Sequence, residues 1–164
     1  ANVAEYLEFG LWGIALSLTG DWTGAQQALD VSVEFVSNVL AVIPEQAAPH
    51  SDAMTAQALG DAPPYRVDAV LDGAEVDVYT VAASAGANLR LFTTWAAPAT
   101  PVFFTELRLY DLDGTTVLEE SIIDGEAGFS YIDWDVAADG TYFVEVEHLF
   151  GTSSDPYSLV VMTR

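Results

Sequence analysis

The sequence predicts a mainly β protein, an antiparallel β-sandwich of about eight strands preceded by an apolar helical hairpin. Three observations carry this reading. From Tyr65 onward, short runs alternate apolar and polar residues and are separated by Asp-Gly and Ala-Gly turns, with no helical periodicity between them. Before residue 64 the pattern changes to longer apolar segments with helical spacing. Hydrophobic residues make up 51% of the 164-residue chain, which separates it from a disordered acidic tail despite a formal net charge of -21.

The first segment, residues 3–18, places Leu7, Leu11, Ile14 and Leu18 on one helical stripe, widened by Phe9, Trp12 and Leu16. A helix apolar on so much of its surface needs cover. At 1.5 Å per residue it would be about 24 Å long, short of the roughly 30 Å hydrocarbon core, and it has no cationic flanks, so no transmembrane segment is expected. Gly20 stops it, with Asp21 and Thr23 as caps for the second segment. That segment, Ala25 to Ile43, ends at Pro44 and carries Leu29, Phe35, Val36, Val39, Leu40 and Ile43 on a second stripe. Val31 to Phe35 also fits a strand, because short β-branched runs satisfy both periods. Residues 1–44 thus read as an apolar helical segment, and the Ala- and Pro-rich residues 45–64 as an extended connector with one helical turn around Met54 to Leu59. Residues 65–164 form the sandwich.

Its strand candidates are Tyr65–Leu71, Val76–Ala83, Ala87–Trp95, Val102–Leu112, Thr115–Ile122, Ala127–Val136, Gly140–Leu149 and Tyr157–Thr163. Alternation assigns their faces. Tyr142, Val144 and Val146 point inward against Glu145 and Glu147; Ile132, Trp134 and Val136 against Asp133 and Asp135; Leu107 and Leu109 against Glu106 and Arg108.

Charge narrows the function. Four Arg and no Lys face 25 carboxylates, so counterion release cannot drive nucleic-acid binding, and anionic headgroups would repel the chain. Cysteine is absent, which removes disulfides, thiolate metal sites and Cys nucleophiles. With two His, no Lys and no G-x-S-x-G, nucleophilic catalysis has little to work with, and no enzyme activity is expected. An acidic, Lys-free composition suits an extracellular or cell-surface protein, and a start at Ala1 instead of Met fits removal of a leader.

Three sets of residues carry candidate chemistry. Asp111 and Asp113 open a calcium-loop-like run that also serves as a hairpin turn, and Asp133 and Asp135 share a strand face, so calcium is the cofactor this composition favours. Trp95, Phe103 and Phe104 would form an aromatic platform for a polymer ligand if exposed. Leu7, Leu11, Trp12, Ile14, Leu18, Phe35, Val36, Val39 and Leu40 would form an assembly interface.

The run Glu75-Val76-Asp77-Val78-Tyr79-Thr80-Val81, then Ala85-Gly86-Ala87-Asn88-Leu89, Leu107-Arg108-Leu109-Tyr110-Asp111-Leu112-Asp113-Gly114, Asp139-Gly140-Thr141-Tyr142-Phe143-Val144-Glu145-Val146 and Tyr157-Ser158-Leu159-Val160-Val161, resembles the bacterial pre-peptidase C-terminal (PPC) domain family over about residues 65 to 163. The resemblance implies a small, jelly-roll-like sandwich appended to secreted proteins, often proteases, for binding, secretion or assembly without catalysis. Some relatives bind calcium near the start of the sandwich. The first 64 residues fall outside the resemblance. The expectation is therefore a secreted structural subunit that assembles with copies of itself into a filament or surface layer through its first segment. The alternative is an accessory module that binds a protein fibre or polysaccharide.

Overall fold

In the computed structural model the described residues are 41–47, 49–60, 63–72, 74–95, 105–122, 130–148 and 154–163, without the side chains of 94, 95, 122, 154 and 155. The chain divides into two compact units, Ala1–Leu40 and Ala41–Arg164. The second unit holds ten strands: β1 Ala41–Pro44, β2 Gln57–Ala58, β3 Tyr65–Asp72, β4 Val76–Ala83, β5 Asn88–Trp95, β6 Thr105–Tyr110, β7 Val117–Ile122, β8 Tyr131–Asp135, β9 Gly140–His148 and β10 Ser154–Thr163. They form two five-stranded sheets, ordered β1-β3-β10-β5-β8 and β2-β4-β9-β6-β7.

All eight expected strands are present and pair antiparallel with one another. The sheets are nonetheless mixed, because β1 joins β3 in parallel and β2 joins β4 in parallel. Both additions come from chain that precedes Tyr65. The expected helical hairpin is not borne out at its end: Ala41–Ile43, its last residues, are strand, and residues 1–40 lie outside the described residues. Val42 and Ile43 are β-branched and stop at Pro44, so they suit an edge strand, where a missing N–H costs no ladder bond. Within the expected connector, residues 53–55 make a turn and Gln57–Ala58 a strand in place of a helical turn.

The core lies between the sheets. In β3, Tyr65, Val67, Ala69 and Leu71 are buried and alternate with Arg66 and Asp68. Leu89 and Leu91 of β5 and Leu159 and Val161 of β10 meet Val81 of β4, Leu107 and Leu109 of β6, and Val144 and Val146 of β9 in one cluster. Burying each such side chain contributes about 1.5–3 kcal/mol. The inward faces expected for β6, β8 and β9 hold, with Trp134 only partly buried. No helix among the described residues is long and apolar enough to cross a membrane.

Candidate functional site

The connector places polar groups where the sandwich would otherwise be apolar. Between β1 and β2 it passes from the edge of one sheet to the edge of the other. The buried Gln57 fixes its start: Gln57 Nε2 donates to the Pro44 carbonyl at 2.9 Å, and Gln46 N donates to Gln57 Oε1 at 2.9 Å. Glu45 is held between those two anchors, and its Oε2 accepts from Val70 N of β3 at 3.1 Å. Further along, the His50 carbonyl accepts from Val78 N of β4 at 2.6 Å, which seats His50 beside that strand.

Asp77 lies on β4 in phase with the core residues Tyr79 and Val81, so its carboxylate is buried, at 1% exposure. Around it the groups converge. Tyr157 of β10 donates to Asp77 Oδ2 at 2.7 Å, and the Tyr79 and Tyr157 hydroxyls lie 2.6 Å apart. His50, 3% exposed, has Nδ1 3.6 Å from Asp77 Oδ1 and Nε2 3.4 Å from Glu45 Oε1, and its ring tilts against Tyr79 with centroids 5.2 Å apart. Burial pushes the Asp77 carboxyl up to about 6, opposed by the Tyr157 hydrogen bond and by the neighbouring His50 and aided by Glu45 and Glu75. Burial also drives both phenols upward. Glu45, His50 and Asp77 each offer one ligand atom, all within 4.8 Å of one another, and they are the group of three among the described residues with that property.

A second charged cluster occupies the outer face of the sheet that carries Asp77. Arg108 of β6 meets Glu106 on its own strand, Glu120 of β7 at 2.7 Å, and Glu145 and Glu147 of β9 at 2.6 and 2.8 Å. One guanidinium thus serves four carboxylates, and although burial works against its charge, they hold it firmly protonated. Glu106, expected to face water, is 5% exposed. Burial pushes its carboxyl up to about 7, with Glu120 and Glu147 acting the same way and Arg108 opposing.

The residues expected to hold calcium sit in two separate places. Asp111 and Asp113 lie in the turn between β6 and β7. Asp113 accepts from the amides of Thr115 and Thr116 and from the Thr116 hydroxyl, which pull its carboxyl down to about 2. Asp111 Oδ1 accepts from Leu112 N at 2.8 Å. Asp133 and Asp135 lie on β8, in the other sheet, bridged by the Asn88 side-chain amide, and Asp133 also meets Arg90 and the Tyr131 hydroxyl. Of the expected aromatic platform, Trp95 ends β5 opposite Tyr157, while its side chain and all of Phe103 and Phe104 lie outside the described residues. Leu7, Leu11, Trp12, Ile14, Leu18, Phe35, Val36, Val39 and Leu40, expected at an assembly interface, lie there too. His50 and Asp77 carried no site motif: they are 27 positions apart, and only the folded connector joins them.

Residues 75–148 match the family model of the bacterial pre-peptidase C-terminal domain. Among solved structures, the chain is similar to the pre-peptidase C-terminal domain of a collagenase from Bacillus anthracis, at 16% identity and a TM-score of 0.51, over 65% of this chain and 93% of that one. It also matches a periplasmic inhibitor of g-type lysozyme from Aeromonas hydrophila, at 14% identity and a TM-score of 0.47, over 76% of this chain and 97% of that one. No curated protein matches the chain. At these identities the structural likeness is one of fold.

Proposed function

The chain carries a bacterial pre-peptidase C-terminal domain, and on that premise we propose that it is a non-catalytic subunit acting outside the cytoplasm. Its first forty residues join copies of the chain into a filament or surface layer, and its acidic sandwich faces solvent. The observation that carries this reading is the division of the chain at residue 40 into two compact units. The sandwich draws its core from both of its own sheets, while the first unit is rich in large apolar side chains for its size. Such a segment is covered most economically by identical segments of neighbouring chains, and contacts that do not close on themselves make fibres. Electron microscopy of the full chain at high salt tests this: regular filaments or sheets are expected, and uniform monomers would contradict it.

A second reading is favoured by the similarity to a domain of a collagenase: an accessory module that holds a secreted protein on an insoluble polymer. Incubation with fibrous protein or polysaccharide followed by sedimentation separates the two readings. Depletion of the dispersed protein by a polymer supports the accessory module; retention in solution with every polymer counts against it.

A further inference from the structure

The geometry points to a binding site for one divalent transition-metal ion of the zinc type at Glu45, His50 and Asp77, where the connector crosses the sandwich. Two buried atoms carry the inference. His50 Nδ1 and Asp77 Oδ1 have no hydrogen-bond partner, although their residues are 3% and 1% exposed. They face each other across 3.6 Å, too far for an effective hydrogen bond. Buried polar atoms left in this way are costly, and a cation placed between the two satisfies both. Two ligand atoms each about 2.1 Å from a tetrahedral ion stand about 3.4 Å apart, close to the observed separation. Glu45 supplies the third donor, within the same 4.8 Å group.

The donor set selects the ion. Calcium takes six to eight oxygen ligands and has little use for an imidazole, whereas one imidazole with two carboxylates suits zinc and its neighbours, with water completing the shell. The surroundings hold the ligands in place: Tyr157 donates to Asp77 Oδ2, which leaves Oδ1 for the ion, and Val70 N donates to Glu45 Oε2, which leaves Oε1, now 3.4 Å from His50 Nε2, to turn onto an ion held at Nδ1. Because Glu45 and His50 lie in the connector and Asp77 in β4, the ion would clamp the connector onto the sandwich. The site is independent of whether the chain assembles.

The chain has two histidines, so ring resonances of the isotope-labelled full chain decide the matter, with His148→Gln identifying which signal is which. One equivalent of zinc is expected to shift the His50 ring signals and leave those of His148 in place, with calcium producing no such shift. Asp77→Asn, nearly the same in shape, is expected to weaken zinc binding by at least about tenfold in calorimetry. A His50 signal unmoved by zinc, or moved equally by calcium, would overturn the site, as would unchanged zinc affinity in a folded Asp77→Asn variant. Should that variant not fold, the titration of the unaltered chain decides alone.

Discussion

The Tyr157 hydroxyl donates to Asp77 at 2.7 Å, and through that one phenol the central strand β10 of one sheet is joined to β4 of the other. Tyr79 lies on the same side, its hydroxyl 2.6 Å from that of Tyr157. Removing the Tyr157 hydroxyl leaves a buried carboxylate short of a donor, so Tyr157→Phe is expected to lower stability by about 1–3 kcal/mol. Tyr79→Phe removes a bond between two phenols and is expected to cost less, about 0.5–1.5 kcal/mol. Urea unfolding of both variants checks the order; equal losses would show that the Asp77 contact adds nothing.

The cluster around Arg108 predicts a pH dependence of defined sign. The folded chain holds Glu106 at about 7, above its ordinary 4.5, so between these values the folded state binds a proton that the unfolded state has lost. The contribution of Glu106 to stability is therefore complete below about pH 4.5 and is lost as pH rises through about 7. Its proton is shared with Glu120, whose own carboxyl is lowered by Arg108 first and by Glu106 second. Glu106→Gln keeps a donor in place without a charge. It is expected to raise the melting temperature at pH 8 and to flatten the decline in stability between about pH 5 and pH 8. An unchanged pH profile in the variant would show that Glu106 ionises without cost.

Gly114 occupies a left-handed turn position, φ 66°, between β6 and β7, and a Cβ there would lie 2.7 Å from the Ala53 side chain and 3.3 Å from Phe143. Gly86 has φ 85° with open space around it. Both Ala variants carry a backbone cost of about 1–2 kcal/mol, and only Gly114→Ala adds a clash with a neighbouring Cβ. Thermal melts are expected to place Gly114→Ala below Gly86→Ala; the reverse order would show that the loop at Ala53 yields freely.

The eight sandwich strands were legible because their inward residues recur with period two and their turns carry glycine: Tyr142, Val144 and Val146 are buried as alternation requires, and Asp113-Gly114 makes the turn it suggested. The candidate site was not legible, because burial of Asp77 and His50 depends on a connector whose Ala and Pro composition gives no period. Glu106 misled for a related reason. It does stand on the outer face, but Arg108 and the glutamates of the neighbouring strands close over it. Ala41–Pro44 misled because Ile43 serves a helix stripe and an edge strand equally well, and pairing with β3 decided between them.

Assembly through the first forty residues is tested most directly by light scattering of the full chain and of Leu11→Asp, each across a salt titration from about 10 mM to 1 M with and without chelator. Net charge of -21 per chain opposes association, so scattering by the unaltered chain is expected to rise with salt as the Debye length shortens. Leu11→Asp puts a carboxylate into the apolar sequence run 9–18 and is expected to scatter as a monomer at every salt concentration, with the melting temperature of the sandwich unchanged. An unaltered chain that stays monomeric throughout, or a Leu11→Asp variant that assembles as the unaltered chain does, would contradict assembly through this segment.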